Sequence, residues 1–262
     1  LPPVCTASPV PEGADAELIK IVPEDRKRPY DMKKLIRMVV DGGNFFEIQP
    51  KFGQSLITAF ARINGHPIGI LANNPMVLGG ALSGDAADKQ GKFLELCDLF
   101  HIPVAYLVDI PGFMIGPAAE RQGTLRRGMR AIWTWSQMTV PMFTVHIRKC
   151  YGMAGMATSN AARLSYRIAW PSGEFGSIPI EGGVDAAFRR EIAEADDPDA
   201  KRDEIEARLG QLRNVFRTAE AMGVEEIIDP RETRRYLERF IKLAYRSLQY
   251  DLGPKTRLCG RP

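Results

Sequence analysis

A strand-like run, Val140-Pro141-Met142-Phe143-Thr144-Val145-His146-Ile147, leads directly into Arg148-Lys149-Cys150-Tyr151-Gly152-Met153-Ala154-Gly155-Met156-Ala157. An apolar strand, a tight glycine turn and then small residues suited to a helix start belong to an α/β domain whose strand ends carry loops. Backbone N–H groups at such a joint form a cup that can hold a developing oxyanion. A plain tight turn fits the same residues, and both readings stay open at this stage. Arg148 and Lys149 put positive charge beside the cup, which favours the anion-holding reading. Gly112 and Gly155 would let backbone approach a flat ligand closely.

The flanking sequence supports strand–helix alternation. Asp31 is a candidate N-cap for a helix carrying Met32, Leu35, Ile36 and Val39 at helical spacing, with Gly42-Gly43 as its end. Two strands, over residues 56 to 63 and 67 to 72, are joined through Asn64-Gly65, a strong hairpin signal. A helix is expected over residues 85 to 100, with Ala87, Phe93, Leu94, Cys97 and Phe100 toward the core. A buried strand over 104 to 108 ends in Asp109-Ile110-Pro111-Gly112-Phe113. One helix is expected over 121 to 138 before the strand over 140 to 147. Beyond Glu181-Gly182-Gly183 the sequence predicts a charged helix broken near Asp197-Pro198, then a second over 199 to 222. After Asp229-Pro230 a terminal helix presents a broad apolar face that includes Tyr236, Phe240, Leu243 and Ser247, with Leu237, Ile241, Ala244 and Leu248. Residues 1–29, rich in proline and charge, read as an arm or linker with little regular structure.

Net charge excludes some function classes. With 35 basic and 32 acidic residues the balance is 35 − 32 = +3, too small to argue for nucleic acid or an anionic membrane. No run approaches the roughly 20 apolar residues of a membrane span, and no signal peptide is expected. Cys5, Cys97, Cys150 and Cys259 lie far apart, with no C-x-x-C pair to suggest a zinc or dithiol site. A reducing compartment fits them: the cytoplasm, or the mitochondrial matrix in a eukaryote. A start at Leu1 followed by Pro2-Pro3 is expected of a fragment or processed chain.

Side-chain catalysts are scarce. There is no G-x-S-x-G elbow and no P-loop. His146, inside an apolar strand, reads as a core or interface histidine. Cys150 sits temptingly at the strand end, but no base is evident near it. Asp109 reads as a strand-end residue bonding nearby N–H groups. Phe113 is either core or a wall for a ring. Asn73 and Asn74 read as ordering a turn.

Five segments now combine: Pro29-Tyr30-Asp31-Met32, Phe45-Phe46-Glu47, Asn73-Asn74-Pro75, Asp109-Ile110-Pro111-Gly112-Phe113 and Arg148-Lys149-Cys150-Tyr151-Gly152. In this order and spacing the chain resembles the carboxyltransferase (β) subunit of biotin-dependent acyl-CoA carboxylases, of the propionyl-CoA and methylcrotonyl-CoA carboxylase type. The α subunits of sodium-pumping decarboxylases are relatives. The resemblance covers about residues 16–262 and only the C-terminal half of that family. It implies an α/β fold, a crotonase-like ββα superhelix forming a single C-terminal carboxyltransferase domain over 30–262, with a helical C-terminal extension.

The resemblance also implies chemistry. Carboxybiotin on a carrier domain loses CO₂, and two backbone N–H groups stabilise the negative ureido oxygen. By position in the motif these belong to Met153 and Ala154. The biotin nitrogen can then take the α-proton of the acyl-CoA substrate, so no side-chain base is needed. Gly112, Phe113, Tyr151, Gly152 and Gly155 are the implied cofactor-binding residues, and no metal is implied. The implied partners are an N-terminal CoA-binding carboxyltransferase domain, a biotin carboxylase and biotin carboxyl carrier subunit, and further copies of the chain in a homo-oligomer. Many relatives have Gly-Gly-Ala where this chain has Gly152-Met153-Ala154, so the Met153 side chain must point away from the ureido ring. Met156 stands where many have an acidic or other substrate-facing residue, which hints at a less polar acyl group. Two other readings remain: a decarboxylase α subunit running the transfer in reverse, and a non-catalytic oligomerisation module.

Overall fold

The computed structural model describes residues 1–156, 158, 164–177 and 183–255. Ala157, Glu181, Gly182 and Cys259 lie outside the described residues, as does the side chain of Met156. The chain begins with helices α1 (Ala14–Ile21) and α2 (Met32–Val39). Strands β1 (Phe45–Ile48), β2 (Leu56–Ile63) and β3 (His66–Asn73) come next. Then come α3 (Gly84–Leu99), β4 (Val104–Ile110), α4 (Pro117–Arg121) and α5 (Thr124–Gln137). The centre of the fold is β5 (Met142–Tyr151), which runs into α6 (Gly152–Met156). Beyond it lie β6 (Ser165–Ala169), β7 (Glu174–Gly176) and the helices α7 (Gly183–Ala187), α8 (Arg189–Ala193), α9 (Pro198–Leu212) and α10 (Val215–Glu220). A short β8 (Glu226–Ile227) and the long α11 (Thr233–Leu248) follow.

The strands form one sheet in the order β1-β2-β3-β4-β5-β6-β8, with β7 pairing β5 off that path. β1 and β3 each pair antiparallel with β2. From β3 onward the pairings are parallel. Asn64 and Gly65 both have positive φ, as the two-residue hairpin turn requires. Their N–H groups donate to the buried Asp41 carboxylate at 2.9 and 2.7 Å. Arg234 of α11 bonds the same carboxylate at 2.5 Å, tying the hairpin to the C-terminal helix.

Helices cover both faces of the sheet. On one, Tyr106 of β4 stacks with Trp135 of α5, and Gly69 of β3 lies against Cys97 and Phe93 of α3. On the other, Phe143 of β5 meets Phe240 of α11 at 5.3 Å between ring centroids. Such two-sided cover explains why β4 is buried along its whole length.

Several expectations hold locally. Asp31 caps α2 by accepting from Lys33 N at 2.8 Å and Lys34 N at 3.1 Å. Asp197 caps α9 at the expected break. Others need correction. The arm over 1–29, expected to hold little regular structure, carries one helix, because Ala14, Leu18, Ile21 and Val22 recur at helical spacing. α1 forms there, and Leu18 is fully buried. The helix expected over 121 to 138 is α5, which starts only at Thr124 because Gly123 turns left-handed at φ 65 and separates it from the short α4. The helix expected over 199 to 222 breaks at Asn214, whose side chain accepts from Phe216 N and starts α10. Phe100 and Leu243, expected on apolar faces, are exposed.

Candidate active site at the end of the central strand

β5 changes partners midway. Residues 142–146 pair with β6, and residues 149–151 pair with β7. Against β4 the register also slips: Val108 faces His146, yet Ile110 faces Cys150. Two steps of β4 therefore span four of β5, and Ile147, Arg148 and Lys149 form a bulge. A bulge bends a strand and re-aims the residues beyond it. The strand thus continues through Tyr151, where the sequence suggests a loop from Arg148 onward. Gly152, at φ 61, makes the whole turn, and α6 begins at that residue.

Asp109 sits opposite the bulge with no exposed surface. Its Oδ1 accepts from Lys149 N at 3.1 Å. Its Oδ2 accepts from Arg148 Nε at 3.1 Å and Nη2 at 3.0 Å. The expected role, bonding nearby N–H groups, is what the geometry shows. The positive charge of Arg148, expected beside the cup, is paired with Asp109. The Arg148 side chain is buried, gives Nη1 to Arg28 O at 2.9 Å, and lies over the Tyr30 ring at 4.9 Å. Asn73 extends the network by accepting from Asp109 N at 3.1 Å and donating to Gly80 O at 3.4 Å. Asn74 orders its own turn through Gln54 O and Met76 N.

The loops at this end of the sheet touch one another. Leu82 N donates to Gly112 O, and Met114 N donates to Leu82 O. A Cβ on Gly80 would come within 2.5 Å of Asp109 O, so only glycine fits there. Gly112 has φ 126, and a Cβ there would lie 3.9 Å from Tyr151 O. Gly112, Gly152, Met153 and Ala154 are thereby gathered at one strand end. The first turn of a helix leaves N–H groups without intrahelical partners, and Met153 and Ala154 occupy that turn. Met153 is half exposed, and Ala154 is buried.

Three of the residues expected to contact a ligand are occupied structurally. A Cβ on Gly155 would lie 2.8 Å from the Cys150 carbonyl carbon and 2.9 Å from its Sγ. The small size of Gly155 lets α6 pack closely on β5. The Phe113 ring lies against Gly128 of α5, where a Cβ would come within 2.6 Å of it. Tyr151 is buried; its hydroxyl donates to Glu174 Oε2 at 2.6 Å and accepts from Arg213 Nη1 at 3.0 Å. Sequence reasoning misses β7 and the Tyr151–Glu174–Arg213 cluster, because a three-residue strand leaves no periodic signal.

Neither tempting side chain can act as a base or nucleophile here. Burial first, and the Arg167 charge second, push the His146 pKa down to about 3, so the ring is neutral. Burial pushes the Cys150 thiol up to about 12. Among the described residues no group of three His, Cys, Asp or Glu side chains could hold a metal ion. A cavity of about 280 Å³ lies behind the joint, lined by His146, Cys150, Gly152, Gly155, Phe175 and Gly176 among others. A larger cleft of about 770 Å³ opens between residues 22–26 and 210–216 and carries Arg26, Arg148, Glu174 and Arg213. Met153 and Ala154 line neither of these two, although Gly152 and Gly155 on either side of them line the smaller.

Comparison with known proteins bears on this geometry. The family described as the carboxyl transferase domain matches residues 1–258. The 12S subunit of methylmalonyl-CoA carboxyltransferase from Propionibacterium freudenreichii subsp. shermanii is 41% identical over 234 residues, 87% of this chain and 44% of the relative. The α subunit of methylmalonyl-CoA decarboxylase from Propionigenium modestum is 35% identical over 221 residues, covering 84% and 42%. A crystal structure of transcarboxylase 12S, described as a hexamer assembly with methylmalonyl-coenzyme A bound, superposes with a TM-score of 0.82 at 34% identity. That match covers 99% of this chain and 50% of the other. The α/β fold is the crotonase-like one of these carboxyltransferases. The chain spans less than half the length of the curated relatives it matches.

Proposed function

This chain belongs to the carboxyl transferase domain family, and we propose that it supplies the biotin-side half-site of a biotin-dependent acyl-CoA carboxyltransferase. One observation carries the reading: the N–H groups of Met153 and Ala154 head a helix that continues a bulged, buried central strand without an intervening loop. Helix N-termini favour anions, and a preorganised donor aimed at a developing oxyanion is worth roughly 3–4 kcal/mol.

The residues present fit a biotin ring. Gly112 leaves main chain uncovered beside the cup, since a Cβ there would meet only Tyr151 O at 3.9 Å, and Met153 can swing outward because it is half exposed. When bound, carboxybiotin supplies the carboxyl group and a ureido oxygen that gains negative charge. Met153 N and Ala154 N would donate to that oxygen. His146 and Cys150 would take no part, since one stays neutral and buried and the other keeps its proton.

The acyl-CoA surface would come from the N-terminal domain of a neighbouring subunit in a homo-oligomer, with a biotin carboxylase and carrier subunit delivering the carboxyl group. The cytoplasm, or the matrix in a eukaryote, suits the unpaired Cys5, Cys97 and Cys150. Among the described residues no helix is long and apolar enough to cross a membrane. The test is carboxyl transfer from a carboxylated biotin carrier to acyl-CoA by the full-length subunit. A protein that neither transfers nor binds biotin would be an assembly module instead. The decarboxylase relative supports a second reading, in which the same half-site runs the transfer in reverse. Sodium-stimulated release of CO₂ would identify that direction.

A further inference from the structure

Four of the five segments that carry the family resemblance meet in one buried network. Tyr30, Asn73, Asp109 and Arg148 come from four separate segments. Their common target is the β5 bulge. There β5 cannot keep a regular ladder with β4, because Ile147, Arg148 and Lys149 are squeezed between the His146 and Cys150 pairings. The Asp109 carboxylate stands in for the lost ladder: one oxygen takes Lys149 N, and the other takes the Arg148 fork. Only two residues, Cys150 and Tyr151, separate this clamp from Gly152.

On the reading proposed above, we infer that Asp109 is a positioning residue: it fixes the β5 bulge through Lys149 N and Arg148, and so aims the Met153 and Ala154 N–H groups. It touches no reacting atom. Arg148 is the other half of the clamp and anchors it to Arg28 O and the Tyr30 ring. Asn73 holds Asp109 from behind and links it to Gly80, so the loop after β3 shares the same fixed point. A misplacement of about 1 Å at a reacting centre can cost on the order of 100-fold in rate. A clamp this close to the cup controls a displacement of that size.

The test uses the full-length oligomeric subunit with a carboxylated biotin carrier and acyl-CoA. Asp109→Ala is expected to lower kcat about 100-fold while KM for acyl-CoA stays within about threefold, because the acyl-CoA surface lies on another domain. Asp109→Asn keeps an acceptor for Lys149 N and is expected to recover about tenfold of that loss. Arg148→Lys keeps the cation without the fork and serves where Asp109→Ala yields little folded protein; its expected kcat lies between wild type and Asp109→Ala. Hydrogen exchange gives a readout independent of turnover: amides of residues 149–154 should exchange at least about tenfold faster in the Asp109 variants, with those of α2 unchanged. The inference is overturned if folded Asp109→Asn or Arg148→Lys turns over at the wild-type rate, or if kcat and KM shift together. It is also overturned if exchange rises evenly through the fold. A wild-type subunit that transfers nothing would instead overturn the functional reading.

Discussion

The strand end around Asp109 and the helical lobe of α7 to α9 both rely on charge, in opposite ways. At the strand end the Asp109–Arg148 pair is dry, with side-chain exposures of 0% and 4%. In the lobe, Arg190–Glu194 and Arg202–Asp185 lie in solvent over a small core of Val184, Ile192 and Ile205. Water screens the lobe's pairs, which can be lost one at a time. The buried pair gains nothing from water, so each partner depends on the other and on the surrounding donors. Ionic contacts in the lobe decorate helices that other forces hold, whereas at the strand end they fix where the backbone goes.

The comparison breaks if the buried pair proves dispensable. Arg148→Met leaves the Asp109 carboxylate uncompensated and should destabilise the fold by about 3–5 kcal/mol, measured by urea unfolding. A loss under about 1 kcal/mol would erase the distinction between the two regions.

Acid should act on the same strand next. His146 has its pKa lowered to about 3 by burial and by the Arg167 charge, against 6.5 ordinarily. Between those values the unfolded chain binds a proton that the folded chain does not. Stability therefore falls as pH drops from about 6.5 toward 3, by roughly 3 kcal/mol at pH 4 from this group alone. His146→Phe should flatten that part of the pH–stability curve. An apolar ring gives up no bond at Nδ1, which has no hydrogen-bond partner among the described residues.

Gly155→Val forces a branched side chain toward Cys150 and should cost about 1–3 kcal/mol by overpacking. Thermal melts would show it, and an unchanged midpoint would mean that Gly155 is not needed for packing on Cys150. Smallest of all, Arg190→Ala in the lobe should leave the melting temperature within about 1 °C of wild type.

How much of this is legible in the sequence depends on whether the signal is local. Asn64-Gly65, the Asp31 cap, the break at Asp197-Pro198 and, Leu243 apart, the apolar spacing of α11 are local, and the fold obeys them. The resemblance carried by five short segments identifies the family for the same reason: it rests on sequence order. The features that escape are long-range. The bulge exists only because Ile110 pairs with Cys150, 40 residues along. Arg148 therefore reads from sequence as positive charge beside a cup, with its partner unseen. One clue is present: a lone Asp and a lone Arg, each at the end of an apolar strand, are seldom buried unless paired. β7 offers no such clue, and its pairing with residues 149–151 depends on the bulge itself. Gly155 reads as open main chain, although a glycine just inside a helix serves close packing as readily.

The central claim, that two main-chain donors do the chemistry, is tested most directly by Ala154→Pro in the full-length subunit. Proline deletes one N–H, and the first turn of a helix tolerates its ring. Met153→Gly, which keeps both N–H groups, is the control. Carboxyl transfer from the biotin carrier should fall about 100- to 1,000-fold in Ala154→Pro and persist in Met153→Gly, with both proteins folded. Wild-type turnover by a folded Ala154→Pro subunit would contradict the account.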